Sequence, residues 1–186
     1  MIWNGFLIQI RLNQVMKNKI LIILFSNILL CNSVIDKIDN ILYKGIEYNK
    51  KQLKILSEGY SEDSNILILK GLSEIDGNIS MNYFLEYMKK SPSGQYAELS
   101  ISKIAEYYYA NAEYAESANW YKKIPDNFPA SNRLETSISY YLNALVISNK
   151  SDSARFYANK YNIKYPQISS LNKSFLIPEK TTSSNK

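Results

Sequence analysis

Apolar residues recur at helical spacing through most of this chain, broken at regular points by turn residues and prolines. The clearest stretch runs from Glu98 to Pro129. Its period predicts two short amphipathic helices around a turn at Asn111 and Ala112, with a proline stop. One helix carries Ile101, Ile104, Ala105 and Tyr108 on its apolar stripe, and the other carries Tyr114, Ala118, Tyr121 and Ile124. A pair this short cannot bury both stripes by itself, so the pattern demands neighbours of the same kind.

Those neighbours are present. Upstream, residues Asn65 to Leu72 and Ile79 to Met88 read as helices around an Asp76-Gly77-Asn78 turn, and downstream Tyr141, Leu145 and Ala154 mark another pair. Pro92, Pro129 and Pro166 follow successive helices at intervals of 37 residues, two of them as Phe128-Pro129 and Tyr165-Pro166, with Ser93, Ser131 and Ser169 close behind. Equal intervals of this kind mark repeats. The second helices also align by residue type: Met81-Asn82-Tyr83-Phe84, Ala118-Asn119-Trp120-Tyr121 and Ala154-Arg155-Phe156-Tyr157 each set a small or slim residue two ahead of an aromatic pair. On this alignment Ile104, Ala105, Tyr108, Ala118, Trp120, Tyr121, Ala154 and Phe156 form the repeat core, small residues permitting close helix approach and aromatics filling the groove. Before the repeats, Asp36 to Leu56 reads as one helix capping the array, or as two if Gly45 breaks it. After them, Leu171, Phe175, Leu176 and Ile177 precede Pro178 and are expected to lie against the last pair, whereas residues 179–186 have nothing to bury and are expected to be disordered.

The first 33 residues follow different rules. Lys17 and Lys19 precede an apolar run from Ile20 to Leu30, and Cys31-Asn32-Ser33 follows. A positive flank, about 11 apolar residues and a small polar exit describe a secretory signal peptide, since a spanning helix needs roughly 20. Met16 offers an alternative start. The exit allows cleavage after Ser33 or lipid attachment at Cys31, which would anchor the mature chain to a membrane; an uncleaved helix buried in a core is the remaining reading. The domain plan is therefore 1–33 signal, 34–58 cap or degenerate repeat, 59–178 repeats and 179–186 tail.

Charge and composition narrow the function. The net charge of +5 falls to +2 once the segment holding Arg11, Lys17 and Lys19 is removed, and no basic run exceeds the pairs Lys50-Lys51 and Lys89-Lys90. Nucleic acid is thus not an expected partner. The chain has no histidine and a single cysteine, which removes His-assisted nucleophiles, the usual zinc ligand sets and internal disulfides. Glu106, Glu113, Glu116 and Glu135 fall on polar helix faces, and no phosphate loop or serine elbow is present. The expectation is a non-enzyme without cofactor or metal.

The helix-turn-helix with a small residue near the start of its second helix and an aromatic residue before Pro-x-Ser resembles the tetratricopeptide repeat (TPR). Ile104, Ala105, Tyr108, Ala118, Tyr121 and Pro129 carry the resemblance, and Tyr141, Leu145, Ala154 and Pro166 carry it in the next copy. The period exceeds the family's usual one, and the family's glycine in the first helix is Ala105 here and Leu142 in the next copy. The resemblance implies an all-α, right-handed array of about three helix pairs with an N-terminal capping helix. It further implies a concave face built by first helices, placing Asn65, Leu69, Ser102, Lys103, Glu106, Tyr109, Ser139, Tyr140 and Asn143 toward a peptide or glycan strand. An exported protein of this kind resembles bacterial envelope TPR proteins, and the implied role is an adaptor that holds another protein, with peptidoglycan association a further possibility, in the periplasm or at the inner face of the outer membrane. A structural subunit of an outer-membrane or division-associated assembly is the alternative, and an accessory to a cell-wall-acting enzyme is a third.

Overall fold

A computed structural model describes residues 34–168, and every element among them is helical. The chain divides into two compact units between Ile75 and Asp76. The stretch expected to be a signal peptide, with Cys31, the segment from Leu171 to Ile177 and residues 179–186 lie outside the described residues.

The first unit contains α1 (34–44), α2 (Lys50–Gly59) and α3 (Asn65–Ser73). One continuous helix from Asp36 to Leu56 does not form. Gly45 sits at φ +66°, a conformation open to glycine, and its N–H closes on the Ile41 carbonyl at 3.3 Å. Asn49 then starts α2 with a capping box, its side chain accepting from the Gln52 N–H while the Gln52 side chain accepts from the Asn49 N–H. Helix α3 packs against α2 and buries Ile66, Leu67, Ile68 and Leu69 in succession, so one full turn of it is withdrawn from solvent.

The second unit contains α4 (Gly77–Lys90), α5 (Ala97–Ala110), α6 (Tyr114–Tyr121), α7 (Lys123–Asn127), α8 (Leu134–Ile147) and α9 (Ser151–Lys164). The turn expected at Asp76-Gly77-Asn78 is a helix start: the Asp76 carboxylate accepts from the N–H groups of Asn78 and Ile79, so both residues after it are helical. The division of the chain falls between α3 and α4, the two helices expected to form the first pair. Within the second unit α4 lies on α5, α5 on α6, α6 on α8 and α8 on α9.

Local geometry repeats at 37 residues throughout this unit. The C-caps Ser91, Phe128 and Tyr165 share φ/ψ of −141/64°, −130/61° and −132/65°. Each cap N–H closes on a buried residue four back, Tyr87, Ile124 and Tyr161, at 2.7, 2.8 and 2.7 Å. Each proline follows its cap, where its ring fixes φ and no helical N–H is needed. The bends inside the pairs match as well: Ala112 and Asn149 lie at φ 61° and 60°, and the next N–H groups, of Glu113 and Lys150, bond the carbonyls of Tyr108 and Leu145 at 2.9 and 2.8 Å. Both helix ends are thereby closed by a left-handed residue.

Two departures have local causes. Pro125 removes the N–H that would bond the Tyr121 carbonyl, and the second helix of its pair divides into α6 and α7. The residue-type alignment of the third copy is off by one position. In the 37-residue register Ser117, Trp120 and Tyr121 correspond to Ala154, Tyr157 and Ala158, so Phe156 matches the exposed Asn119. Phe156 accordingly is 64% exposed and lies outside the core, contrary to expectation. Ile104, Ala105, Ala118, Tyr121 and Ala154 are buried, while Tyr108 and Trp120 are half-buried.

Candidate functional site

The surface where α5, α6 and α8 meet is built from tyrosine. Tyr109 near the end of α5 meets Tyr114 at the start of α6 edge to face, with ring centroids 5.2 Å apart, and meets Tyr140 of α8 in the same way at 5.1 Å. Tyr140 in turn stacks on Tyr121, at 5.3 Å and 11° between planes. Such pairs contribute about 0.5–1.5 kcal/mol each beyond area burial. They hold the four rings as one strip that descends from half-buried Tyr114 and Tyr109 to fully buried Tyr121, with Tyr140 40% exposed at the surface.

Helical phase explains which neighbours reach this surface. Lys103 and Glu106, three residues apart on α5, are paired at 2.7 Å and partly exposed. Asn143 is exposed and Ser139 half-buried on α8. Ser102 points inward and is 3% exposed; in the first unit Leu69 is fully buried and Asn65 half-buried. Ser102 and Leu69 therefore present no side chain to a partner, which corrects their assignment to an accessible face. The cause in α3 is the unbroken apolar run Ile66 to Leu69, which gives Leu69 no polar neighbour on its own turn to carry it outward. The run Tyr107-Tyr108-Tyr109 is half-buried at all three positions, and the Tyr107 hydroxyl donates to the Asn78 side-chain oxygen, tying α5 to the start of α4.

Electrostatics at the strip favour neutral hydroxyls. The Tyr121 phenol is pushed well above the usual tyrosine range, first by burial and then by the Glu106 carboxylate and the Tyr140 and Tyr109 rings. Tyr109 is raised by burial, with Tyr114 and Tyr140 adding to it. At the other end of α6, the Lys123 ammonium lies 3.5 Å from the centre of the Trp120 ring, and partial burial lowers its pKa. The aromatic face takes the place of part of the lost water there.

Beside Tyr114 an open surface cavity of about 460 Å³ is lined by Ala112, Glu113, Ala115, Glu116, Ile147 and Ser148. It was not legible from residue spacing, because it forms where the bends after α5 and α8 come side by side. Only the shared left-handed turns at Ala112 and Asn149 hint at that juxtaposition.

Chemically the strip offers aromatic faces, phenolic donors, one ion pair and an amide, and it places no nucleophile beside a general base. Among the described residues there is no group of three or more metal-ligating acids, cysteines or histidines. No described helix is long and apolar enough to cross a membrane. Comparison with protein-family models, with curated proteins and with solved structures finds no match to this chain.

Proposed function

We propose that this protein is a non-catalytic scaffold of TPR-like helix pairs, exported to the bacterial cell envelope, that holds a protein partner on the surface centred on Tyr140. The observation carrying this reading is the tyrosine strip. Four rings are fixed against one another by three helices, yet the outermost keeps 40% of its surface in water. A rigid aromatic side chain with a free face binds at low entropic cost, because little freedom remains to be lost. The flanking Lys103–Glu106 pair and Asn143 supply polar contacts around it, the composition of a hot spot with a polar rim. Repeats at 37 residues support the TPR resemblance, and the right-handed array with its concave face belongs to the same proposal. Location in the periplasm or at the inner face of the outer membrane rests on the N-terminal sequence alone.

The experiment is capture of partners from envelope extracts by the full chain and by a Tyr140→Ala/Asn143→Ala variant. Both positions are exposed, so the fold is expected to persist. The reading expects partners retained by the parent to be lost or weakened at least tenfold by the double variant, as removal of a hot-spot residue costs about 2 kcal/mol or more. Undiminished capture with intact circular dichroism would refute it.

A further inference from the structure

The cavity beside Tyr114 lies where two helix ends meet a helix start, and its walls differ in kind. Helix α5 stops at Ala110 and α8 at Ile147, and the cavity takes Ala112 from just past the first end and Ile147 and Ser148 from the second. Helix α6 supplies the remainder from its start, with Glu113 at the cap position and Glu116 in the first turn. Ala112, Ala115 and Ile147 form an apolar wall, and Ile147 keeps 48% of its surface exposed. The Tyr114 ring is already held edge to face by Tyr109, so no ligand has to order it.

The charge around this space has one sign. Glu86, Glu106, Asp126 and Asp152 each have a lysine or arginine partner within four residues along the chain. Glu113 and Glu116 are exposed and belong to no ion pair among the described residues. Each helix C-terminus adds roughly half an elementary negative charge, and neither α5 nor α8 has a basic residue in its last turn. The start of α6 offsets part of this, since an acid such as Glu116 in a first turn stabilises its own helix. Half a positive charge, however, does not balance two carboxylates and two C-termini. Lys150, two residues beyond Ser148, does not line the cavity.

We infer that this cavity takes a basic side chain, lysine or arginine, of the protein partner held at Tyr140; the inference rests on that reading for the identity of the occupant. The apolar wall suits the methylene stem, while the open mouth keeps the charged head in water beside Glu113 and Glu116. The Tyr114 ring adds a face that attracts a cation. A volume of about 460 Å³ falls within the roughly 300–1,000 Å³ of ligand pockets, room for a side chain and not for a domain. Tyr109 joins the two subsites, touching Tyr114 at 5.2 Å and Tyr140 at 5.1 Å between ring centres. That span is about three extended residues, so one strand of a partner crosses both. An acidic segment would be repelled here, and an apolar one would leave both carboxylates unanswered.

The probes are blocked pentapeptides, Gly-Gly-Lys-Gly-Gly and the same sequence with arginine, norleucine or glutamate at the centre, titrated into isotope-labelled full chain. The lysine and arginine peptides should shift the backbone amides of residues 112–116 and 147–148, and the norleucine and glutamate peptides should bind several-fold more weakly. Glu113→Gln/Glu116→Gln, at two exposed positions, should weaken the lysine peptide about three- to tenfold, as loss of exposed ion pairs does. Equal binding of the norleucine peptide would overturn the cationic occupant. Absent shifts at these amides, or affinity unchanged by the glutamine variant, would overturn the site. Capture from envelope extracts separates this inference from the reading it rests on. If Tyr140→Ala/Asn143→Ala loses a partner that Glu113→Gln/Glu116→Gln retains in full, the cavity is not used and the Tyr140 surface stands. If the lysine peptide binds as expected while capture ignores Tyr140, the cavity stands and the Tyr140 surface fails.

Discussion

Helix α9 offers a direct test of the register because two aromatic residues five positions apart are assigned opposite roles. Tyr161 is 1% exposed and surrounded by the rings of Tyr141, Tyr157 and Tyr165 at 6.2, 6.0 and 6.1 Å. Replacing it with alanine removes a whole buried ring and leaves a cavity, at a cost of about 3–5 kcal/mol. Phe156 has only about a third of its surface to lose. Scaling the roughly 1.5–3 kcal/mol for a fully buried large apolar side chain by that fraction gives about 0.5–1 kcal/mol for Phe156→Ala, including its edge contact with Tyr157. Urea unfolding followed by far-ultraviolet circular dichroism resolves the two. With a slope of about 2 kcal/mol per molar, Tyr161→Ala should lower the midpoint by roughly 1.5–2.5 M and Phe156→Ala by no more than roughly 0.5 M. Comparable losses for both would place Phe156 in the core after all and remove the 37-residue equivalence at this helix. A loss under about 1 kcal/mol for Tyr161→Ala would show that its ring pocket is not formed.

Four further outcomes follow from specific contacts. Gly94→Ala should destabilise by about 1–3 kcal/mol, since a Cβ there would stand 2.4 Å from the Tyr87 hydroxyl; Tyr87→Phe in the same chain should recover part of that loss in a double-mutant cycle, and strict additivity would refute the clash. Ala118→Leu should cost about 1–3 kcal/mol in thermal melts by overpacking a residue 2% exposed, and an unchanged midpoint would show room that the packing denies. Trp120→Ala should cost less than a fully buried tryptophan, about 2–3 kcal/mol, because the ring is half-buried under Lys123; a loss near 5 kcal/mol would contradict that exposure. Tyr121, Tyr141 and Tyr161 keep their protons in the folded state, chiefly through burial, well past the point where an unfolded tyrosine loses its own. Their contribution is therefore fully present below pH of about 10 and falls as pH rises above it, because the unfolded chain then binds fewer protons. Urea midpoints should be flat from pH 8 to about 9.5 and drop beyond, less so in a triple Tyr→Phe variant; a midpoint equally steep in that variant would assign the drop to other groups.

What the sequence revealed, and what it hid, divides along the kind of signal involved. The prolines were legible because each one excludes a helical N–H at a fixed place in the chain, and Ser91, Phe128 and Tyr165 do share one cap conformation. The same counting would have exposed the buried serines. Ser100 and Ser137 are 37 residues apart, and Ser117 donates across the close α5–α6 crossing to the Ala105 carbonyl at 3.0 Å. Residue type was the poorer guide. Matching aromatic pairs drew Phe156 into line with Trp120, whereas the backbone sets Tyr157 there, because bulk can be supplied from either of two adjacent positions but a capped turn cannot shift by one residue. Burial of Ser102 escaped for a related reason: exposure on a first helix depends on what packs against it, and that information sits in other segments of the chain, whereas the burial of Leu69 was legible in the apolar run Ile66 to Leu69 around it. The tyrosine strip was half visible. Tyr109 and Tyr140 were placed on one surface by the resemblance to the TPR pattern, but their joining through Tyr114 and Tyr121 needed the angle at which α6 crosses between α5 and α8. Spacing along a chain thus fixes where helices stop and which positions correspond, while the chemistry of a surface emerges only once crossing helices bring distant side chains together.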